Sequence, residues 1–196
     1  IILFDGNHLD SWVSAQDTTK PADWFVKGGI LTVNKKAGNI QTRQKFTDYQ
    51  IHIEWREPAE FAKIPGNKPD FYKSMKPGDT DRIYTGQARG NSCLFLASLG
   101  KGDAGYEMQI LDNYNNATYT NGQAGSIYKQ HAPLVNPNRP PGEWQTYVVI
   151  WTAPRFNEDG SLKSPARVTA FFNGVLVQNN FELKGPTRYV GLPTYD

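Results

Sequence analysis

The chain has 196 residues, with 21 Lys and Arg residues against 19 Asp and Glu residues, so its net charge is close to zero. This length suits one domain, since all-β sandwiches and barrels often reach it without dividing. Because the basic residues are scattered between acidic ones, the sequence gives little support to a nucleic-acid groove or a membrane-surface role, and we expect no nucleic-acid partner. No apolar run approaches the length of a transmembrane segment.

Short apolar runs separated by Gly, Pro and Asn predict an antiparallel all-β fold. In chain order, the predicted strands are residues 30–33, 49–56, 92–97, 106–111, 125–128, 146–151, 167–172 and 175–178. Asn173 and Gly174 separate the last two strands, and this dipeptide is preferred in two-residue type I′ hairpins. Residues 57–90 carry four prolines and several lysines, which predicts a long surface loop of the lid or rim type.

Residues 106–111 combine an apolar strand pattern with acid-base groups. Because strand side chains alternate between faces, Glu107 and Gln109 share one face, while Tyr106, Met108 and Ile110 share the other. The apolar set requires a core. The carboxylate and the amide then need hydrogen-bond partners or a ligand, as a sugar-binding or acid-base surface would provide.

A second strand repeats this polar pattern, because His52, Glu54 and Arg56 alternate with apolar residues. Such alternation is also typical of a strand with one solvated face, where Glu54 would pair with Arg56 or with a cross-strand neighbour. Since two strands offer carboxylates from a polar face, we predict that Glu54 and Glu107 lie on one concave face and form one site.

Five ordered blocks of the sequence resemble the 3-keto-disaccharide hydrolase family, which was long catalogued as a domain of unknown function. The blocks are LFDGNHLDSW at residues 3–12, HIEWR at 52–56, GNS at 90–92, YEMQILD at 106–112, and GSIY at 125–128 through PGEWQ at 141–145. The resemblance implies a concanavalin A-like jelly-roll sandwich over residues 1–196, with a concave sheet that faces the sugar.

The sequence departs from the family pattern at two places. Family members usually continue past a segment like residues 191–193 into a Gln-Asp-His-Gly element and a final strand, whereas this chain stops at Asp196. The resemblance therefore predicts that the C-terminal closing strand is absent and that the site lacks one His. It also predicts that the sheet edge near the N-terminal strand is covered by another chain, a neighbouring molecule or a further C-terminal segment. Cys93 stands where the family generally has Gly.

The resemblance also implies a reaction. A ketone at C3 of a sugar acidifies the C2 hydrogen, so that a base can remove it and the glycosidic oxygen can leave from C1, after which water adds. The candidate catalytic residues are Glu107 or Glu54 as the base, and His131 or a Glu as the acid. The candidate binding residues are Arg56, Asn91, Gln109, Asp112 and Tyr128. Direct hydrolysis by two carboxylates is the competing mechanism.

No cofactor follows with certainty from the sequence. The single cysteine, Cys93, excludes an internal disulfide and a thiolate metal cluster. His8, His52 and His131 lack the regular spacing of a zinc site. The oxygen-rich residues 112–116 could bind a divalent cation such as calcium, although Asx turns more commonly explain such a cluster.

Three function classes remain open from the sequence, one of which is an interaction domain in a larger surface assembly. The first is a glycoside-cleaving enzyme, exported to the periplasm or the extracellular space, with a carbohydrate as its partner. The alternative is a non-catalytic carbohydrate-binding module, since one fold hosts both functions. An enzyme should bring acid-base groups together in one pocket, whereas a binding module should present aromatic faces and amides without them. The oligomeric state does not follow from the sequence.

Overall fold

The fold is known from a computed structural model, which describes residues 1–59, 90–98, 100, 104–115 and 118–195. Regular structure in these ranges is almost entirely β-strand, and their one helical element is a 3₁₀ turn at Thr120–Gly122. The antiparallel all-β fold predicted from the sequence is confirmed, and the arrangement is consistent with a jelly-roll sandwich.

Twelve strands occur in the described residues. In chain order they are β1 (Trp12–Ser14), β2 (Phe25–Lys27), β3 (Ile30–Thr32), β4 (Ile40–Thr42), β5 (Tyr49–Trp55), β6 (Asn91–Ser98), β7 (Gly105–Leu111), β8 (Gln145–Thr152), β9 (Arg155–Phe156), β10 (Leu162–Ser164), β11 (Arg167–Phe172) and β12 (Val175–Glu182). They belong to two compact units, one of residues 1–47 and 98–105 and the other of residues 48–97 and 106–196. The single domain expected over residues 1–196 stays a prediction.

The larger unit holds the main core. Strands β12, β11, β8 and β5 form a four-stranded antiparallel sheet in that order, and β6 pairs with β7. Between them lie large apolar side chains: the ring centroids of Tyr106 and Trp151 are 5.0 Å apart, and those of Trp55 and Phe172 are 5.7 Å apart. Burial of such aromatic side chains contributes most of the hydrophobic stabilisation.

The smaller unit is built from short strand pairs. Strand β1 pairs with β4, and β2 pairs with β3 through Gly28 and Gly29, which both have positive φ angles, of 58° and 79°. This two-glycine hairpin allows the left-handed backbone that a type I′ turn requires. The indole nitrogen of Trp12 donates a hydrogen bond of 2.6 Å to the carbonyl of Leu3.

The hairpin predicted at Asn173 and Gly174 is confirmed. Phe172 pairs with Val175, and the φ angles of the two turn residues are 50° and 80°. The strand predicted at residues 125–128 is wrong, because its Gly125 adopts a φ of 82° and only its Ile127 forms β-bridges, which are isolated ones to Met108 and His131. A left-handed residue at the start of this segment interrupts the extended backbone that a regular strand needs.

Five short strands escaped prediction, namely β1, β2, β4, β9 and β10. Each has two or three residues, too few for alternation to stand out from chance. The surface loop predicted at residues 57–90 falls outside the described residues except at its two ends. No described helix is long and apolar enough to cross a membrane.

The Tyr147 hydroxyl offers a test of how the two layers are held together. This fully buried side chain extends from β8 and donates a 2.7 Å hydrogen bond to the backbone carbonyl of Gln109 on β7. We expect Tyr147→Phe to lower the free energy of unfolding by about 1 kcal/mol, because one buried hydrogen bond is lost. Tyr147→Ala should cost about 3–5 kcal/mol, because it also leaves a cavity. Urea denaturation measures both values, and equal losses would contradict the hydrogen-bond assignment.

The buried tyrosines lead us to expect that the protein loses stability at alkaline pH. Burial raises the pKa of Tyr49, Tyr106 and Tyr147 above the ordinary 10.0. A folded-state pKa above the unfolded value contributes stability that is present below about pH 10 and is lost at higher pH. The free energy of unfolding should therefore change little between about pH 7 and 9 and fall above about pH 10. Urea denaturation across this range tests the prediction, and Tyr147→Phe should make the fall shallower.

Candidate active site

Strand β7 is buried along its whole length although it carries polar side chains. Tyr106, Met108 and Ile110 face the core, where Tyr106 contacts Trp151 of β8. By alternation, the side chains of Glu107 and Gln109 lie on the opposite face of the strand. Both residues are only 5% exposed. Their burial makes every hydrogen bond on this face energetically important.

Two segments of the chain hold Glu107 in place. Its backbone N–H donates to the hydroxyl oxygen of Thr187 at 3.0 Å, and its backbone carbonyl accepts from the N–H of Tyr128 at 3.0 Å. Its carboxylate oxygen Oε2 accepts a 3.0 Å hydrogen bond from the hydroxyl of Tyr189. A carboxylate oriented by a donor in this way is suited to accept a proton from a bound molecule.

Gln109 lies two residues further along the same face. Its backbone is fully engaged, because the N–H donates to Ser126 and the carbonyl accepts from Gly125 and from the Tyr147 hydroxyl. Its side-chain oxygen Oε1, in contrast, is buried and has no hydrogen-bond partner among the described residues. Leaving a buried acceptor unsatisfied costs about 1–3 kcal/mol, so a donor that reached this oxygen would be stabilised there.

An open cleft of about 460 Å³ lies beside this face, which we call the tyrosine cleft. Its lining residues are Tyr119, Asn121, Tyr128, Lys129 and Gly191. The hydroxyls of Tyr119 and Tyr128 hydrogen-bond to each other, and the ring centroid of Tyr128 lies 5.9 Å from that of Tyr189. The tyrosine that contacts Glu107 is therefore also a neighbour of the cleft wall.

The structure does not bring Glu54 to this site. Glu54 and His52 extend from the solvent face of β5, with their side chains 64% and 59% exposed and 3.8 Å between Oε1 and Nε2. On the other face of β5, Trp55 packs in the core that also holds Tyr106. Glu54 and Glu107 therefore lie on opposite sides of that core, and the prediction that they share one concave face is wrong.

His131 and Arg56 also contact other partners. The His131 ring stacks on Phe181, with centroids 4.0 Å apart, and its Nδ1 lies 2.8 Å from Oε1 of Gln178. The guanidinium of exposed Arg56 lies 4.8 Å from the ring centroid of Trp144. Neither contact joins these side chains to Glu107, so their expected roles as acid and as donor find no support in this geometry.

Asn91 and Asp112 lie at the other end of the β6–β7 pair. Asn91 is exposed at the start of β6, whereas Asp112 is buried, with its backbone N–H donating to the Gly90 carbonyl at 2.7 Å. A side chain at position 90 would come within 2.5 Å of Glu57 Cγ and 3.6 Å of Asp112 Cβ. The close approach of the buried Glu57 side chain therefore requires glycine at this position. Of the predicted residues, only Glu107, Gln109 and Tyr128 come together.

Four functional candidates escaped the sequence analysis, namely Glu57, Lys129, Thr187 and Tyr189. Glu57 continues the inward phase of β5 two residues beyond Trp55 and is buried, so extending the alternation would have found it. Tyr189 and Thr187 reach Glu107 across about 80 residues of sequence. No local pattern carries that information.

The oxygen-rich segment at residues 112–116 forms a turn in its described part, residues 112–115. The side-chain oxygen of Asn113 accepts hydrogen bonds from the N–H of Ala124 at 3.0 Å and from Asn138 at 3.1 Å. Among the described residues, no group of three His, Cys, Asp or Glu side chains could hold a metal ion. In its described part this segment is therefore a turn that the Asn113 side chain ties to two distant parts of the chain.

Comparison with known proteins identifies the family. A solved structure from Parabacteroides distasonis ATCC 8503, named a "putative glycosyl hydrolase", is 45% identical, with a TM-score of 0.78 over 100% of this chain and 70% of that chain. A second structure of the same name and organism is 20% identical, with a TM-score of 0.61 over 93% of this chain and 71% of that one, and shows the fold alone. No protein of curated function matches. The family model described as 3-keto-alpha-glucoside-1,2-lyase-like domain matches residues 1–193, so this chain belongs to that family.

Proposed function

We propose that this protein cleaves 3-keto-glycosides by removing the C2 proton and eliminating the group at C1, with water then adding to the product. The observation that carries the proposal is the buried carboxylate of Glu107, held by Tyr189 beside the unpartnered side-chain oxygen of Gln109. The 3-keto-alpha-glucoside-1,2-lyase-like description of the family and the glycosyl hydrolase name of the structural neighbours support it.

The elimination balances with one base and one acid. Glu107 takes the C2 proton, the C2–H electrons form the C1–C2 double bond through the enolate, and the C1–O bond breaks. The leaving oxygen takes a proton and departs as an alcohol or as a second sugar. Addition of water across the double bond then gives the free 3-keto sugar. Each step is an acid-base step with no net oxidation or reduction.

The residues around Glu107 suit the other roles. The Gln109 amide can donate to the enolate oxygen through its nitrogen and accept from a sugar hydroxyl through Oε1. The hydroxyl pair of Tyr119 and Tyr128 lies nearby and can supply a proton to the leaving oxygen. We prefer this pair to His131 as the acid because Tyr128 lies beside Tyr189. The His131 ring instead contacts Gln178 and Phe181.

The position of Glu54 favours elimination over direct hydrolysis by the pair of Glu54 and Glu107. Direct hydrolysis requires two carboxyl groups that flank one glycosidic bond, roughly 5–10 Å apart. Glu54, the second carboxylate that the sequence analysis offered, lies on the other side of the core from Glu107. Elimination needs only one base on this face, which Glu107 supplies.

We expect Glu107→Gln to abolish turnover while the protein stays folded. The amide keeps the shape of the side chain but cannot accept the C2 proton, so kcat should fall by about 10²–10⁴-fold. The assay measures release of both sugars from a 3-keto-disaccharide, with and without a chelator, and circular dichroism checks the fold. Glu54→Gln is the matched control and should retain wild-type activity.

The same pair of variants separates an enzyme from a carbohydrate-binding module. A binding module would bind sugar without releasing products, in the wild type as well as in Glu107→Gln. If Glu107→Gln retains full turnover, the assignment of the base is wrong. If only Glu54→Gln loses turnover, the reactive site lies on the solvent face of the four-stranded sheet.

Removal of the Tyr189 hydroxyl should slow the reaction without unfolding the protein. In Tyr189→Phe the Glu107 carboxylate loses the donor at 3.0 Å that orients it. A hydrogen bond to a charged group contributes about 1.5–3 kcal/mol, so we expect kcat to fall by about 10–100-fold with KM nearly unchanged. Tyr49→Phe is the control, because that hydroxyl donates to the Leu96 carbonyl on β6. A rise in KM alone would show that Tyr189 binds substrate rather than orienting the base.

A further inference from the structure

The tyrosine cleft is held in shape by backbone contacts. A side chain at position 122 would come within 2.3 Å of the Tyr119 ring, so this ring packs directly on the Gly122 backbone. Lys129 has a left-handed backbone with a φ of 60°, and its N–H donates to the Asn121 carbonyl at 2.9 Å. The lining is therefore largely formed before any ligand arrives, which lowers the entropic cost of binding.

The groups that line the cleft suit a sugar ring. Aromatic faces of Tyr119 and Tyr128 can pack against the C–H groups of a pyranose, and their hydroxyls can bond to its oxygens. Asn121 adds an amide. The Lys129 ammonium donates to the Tyr189 carbonyl and carries further N–H groups. The volume of about 460 Å³ falls within the range of roughly 300–1,000 Å³ usual for small-molecule sites.

The tyrosine cleft also adjoins the residues that contact Glu107, the proposed base. Tyr128 lines the cleft and donates its backbone N–H to the Glu107 carbonyl, and its ring neighbours the Tyr189 ring. C1 is bonded directly to C2, so the leaving oxygen must depart close to the carboxylate that removes the C2 proton. Gln109 lies in the other direction along β7, where it can hold the oxidised ring.

We infer that the tyrosine cleft binds the leaving half of the substrate and that this half is a neutral hexopyranose. The inference rests on the proposed function, because it assigns the oxidised ring to Glu107 and Gln109 and the second ring to the cleft. Substrates with a sugar leaving group then gain contacts that substrates with a small alkyl leaving group lack. The cleft determines specificity for the leaving group and leaves proton removal to Glu107.

Gly191 allows the cleft to be filled with a matched control. It lines the cleft with a φ of 86°, and a Cβ placed there meets no atom within 4 Å. Gly160, on the β9–β10 turn outside the cleft lining, has a φ of 83° and equally open surroundings. Asn tolerates the left-handed conformation better than other residues with a side chain. Gly191→Asn and Gly160→Asn therefore carry similar backbone strain, but only the first places a side chain at the cleft.

The first measurement compares a 3-keto-disaccharide with methyl 3-keto-glucoside. We expect Gly191→Asn to lower kcat/KM for the disaccharide by at least about tenfold more than for the methyl glycoside, as loss of pocket contacts does. Gly160→Asn should match the wild type on both substrates. Equal losses on the two substrates, or no loss on the disaccharide, would overturn the inference.

The second measurement does not depend on turnover. Binding of an unoxidised glucose disaccharide is followed by ligand-observed NMR in the wild type and in both variants. We expect binding to weaken in Gly191→Asn and to persist in Gly160→Asn. If no protein cleaves either keto substrate but this binding pattern appears, the proposed function fails and the cleft assignment stands. If cleavage occurs and binding is the same in all three proteins, the cleft assignment fails and the proposed function stands.

Discussion

The structure depends on one constraint, which is that β7 is buried on both faces while it carries a carboxylate and an amide. Buried polar groups destabilise a fold unless they are hydrogen-bonded. Distant segments therefore converge on this strand: β8 contributes the Tyr147 hydroxyl, and residues 125–128 contribute backbone groups. The segment at residues 187–189 contributes two side-chain hydroxyls. The contacts that make the burial of β7 possible are the same contacts that orient Glu107.

One group on β7 breaks this rule. The side-chain oxygen of Gln109 is buried without a partner, although its backbone carbonyl accepts two hydrogen bonds. In native proteins, each unsatisfied buried polar group needs an explanation, and a ligand that restores the missing hydrogen bond is one such explanation. Under the proposed function, a sugar hydroxyl would supply the missing hydrogen bond to this oxygen.

The polar faces of β5 and β7 show the same alternation in the sequence, but their surroundings in the structure differ. On β5 the polar side chains of His52 and Glu54 extend into solvent, where a contact between exposed side chains contributes little because water competes for both partners. On β7 the same alternation places Glu107 under the side chains of another segment, where each hydrogen bond is stronger. Alternation reports which face a side chain occupies, whereas only the packing around that face decides whether the side chain can do chemistry.

The sequence by itself determined the antiparallel all-β fold, the Asn173–Gly174 hairpin and the shared face of Glu107 and Gln109, because turn chemistry and alternation are local properties. It could not decide which polar strand faces the site, since two strands showed the same period. It also missed Tyr189 and Thr187, which lie about 80 residues from Glu107 and meet it only through folding. Tertiary structure decided the site because burial and hydrogen-bond partners depend on distant segments of the chain, which local patterns do not record.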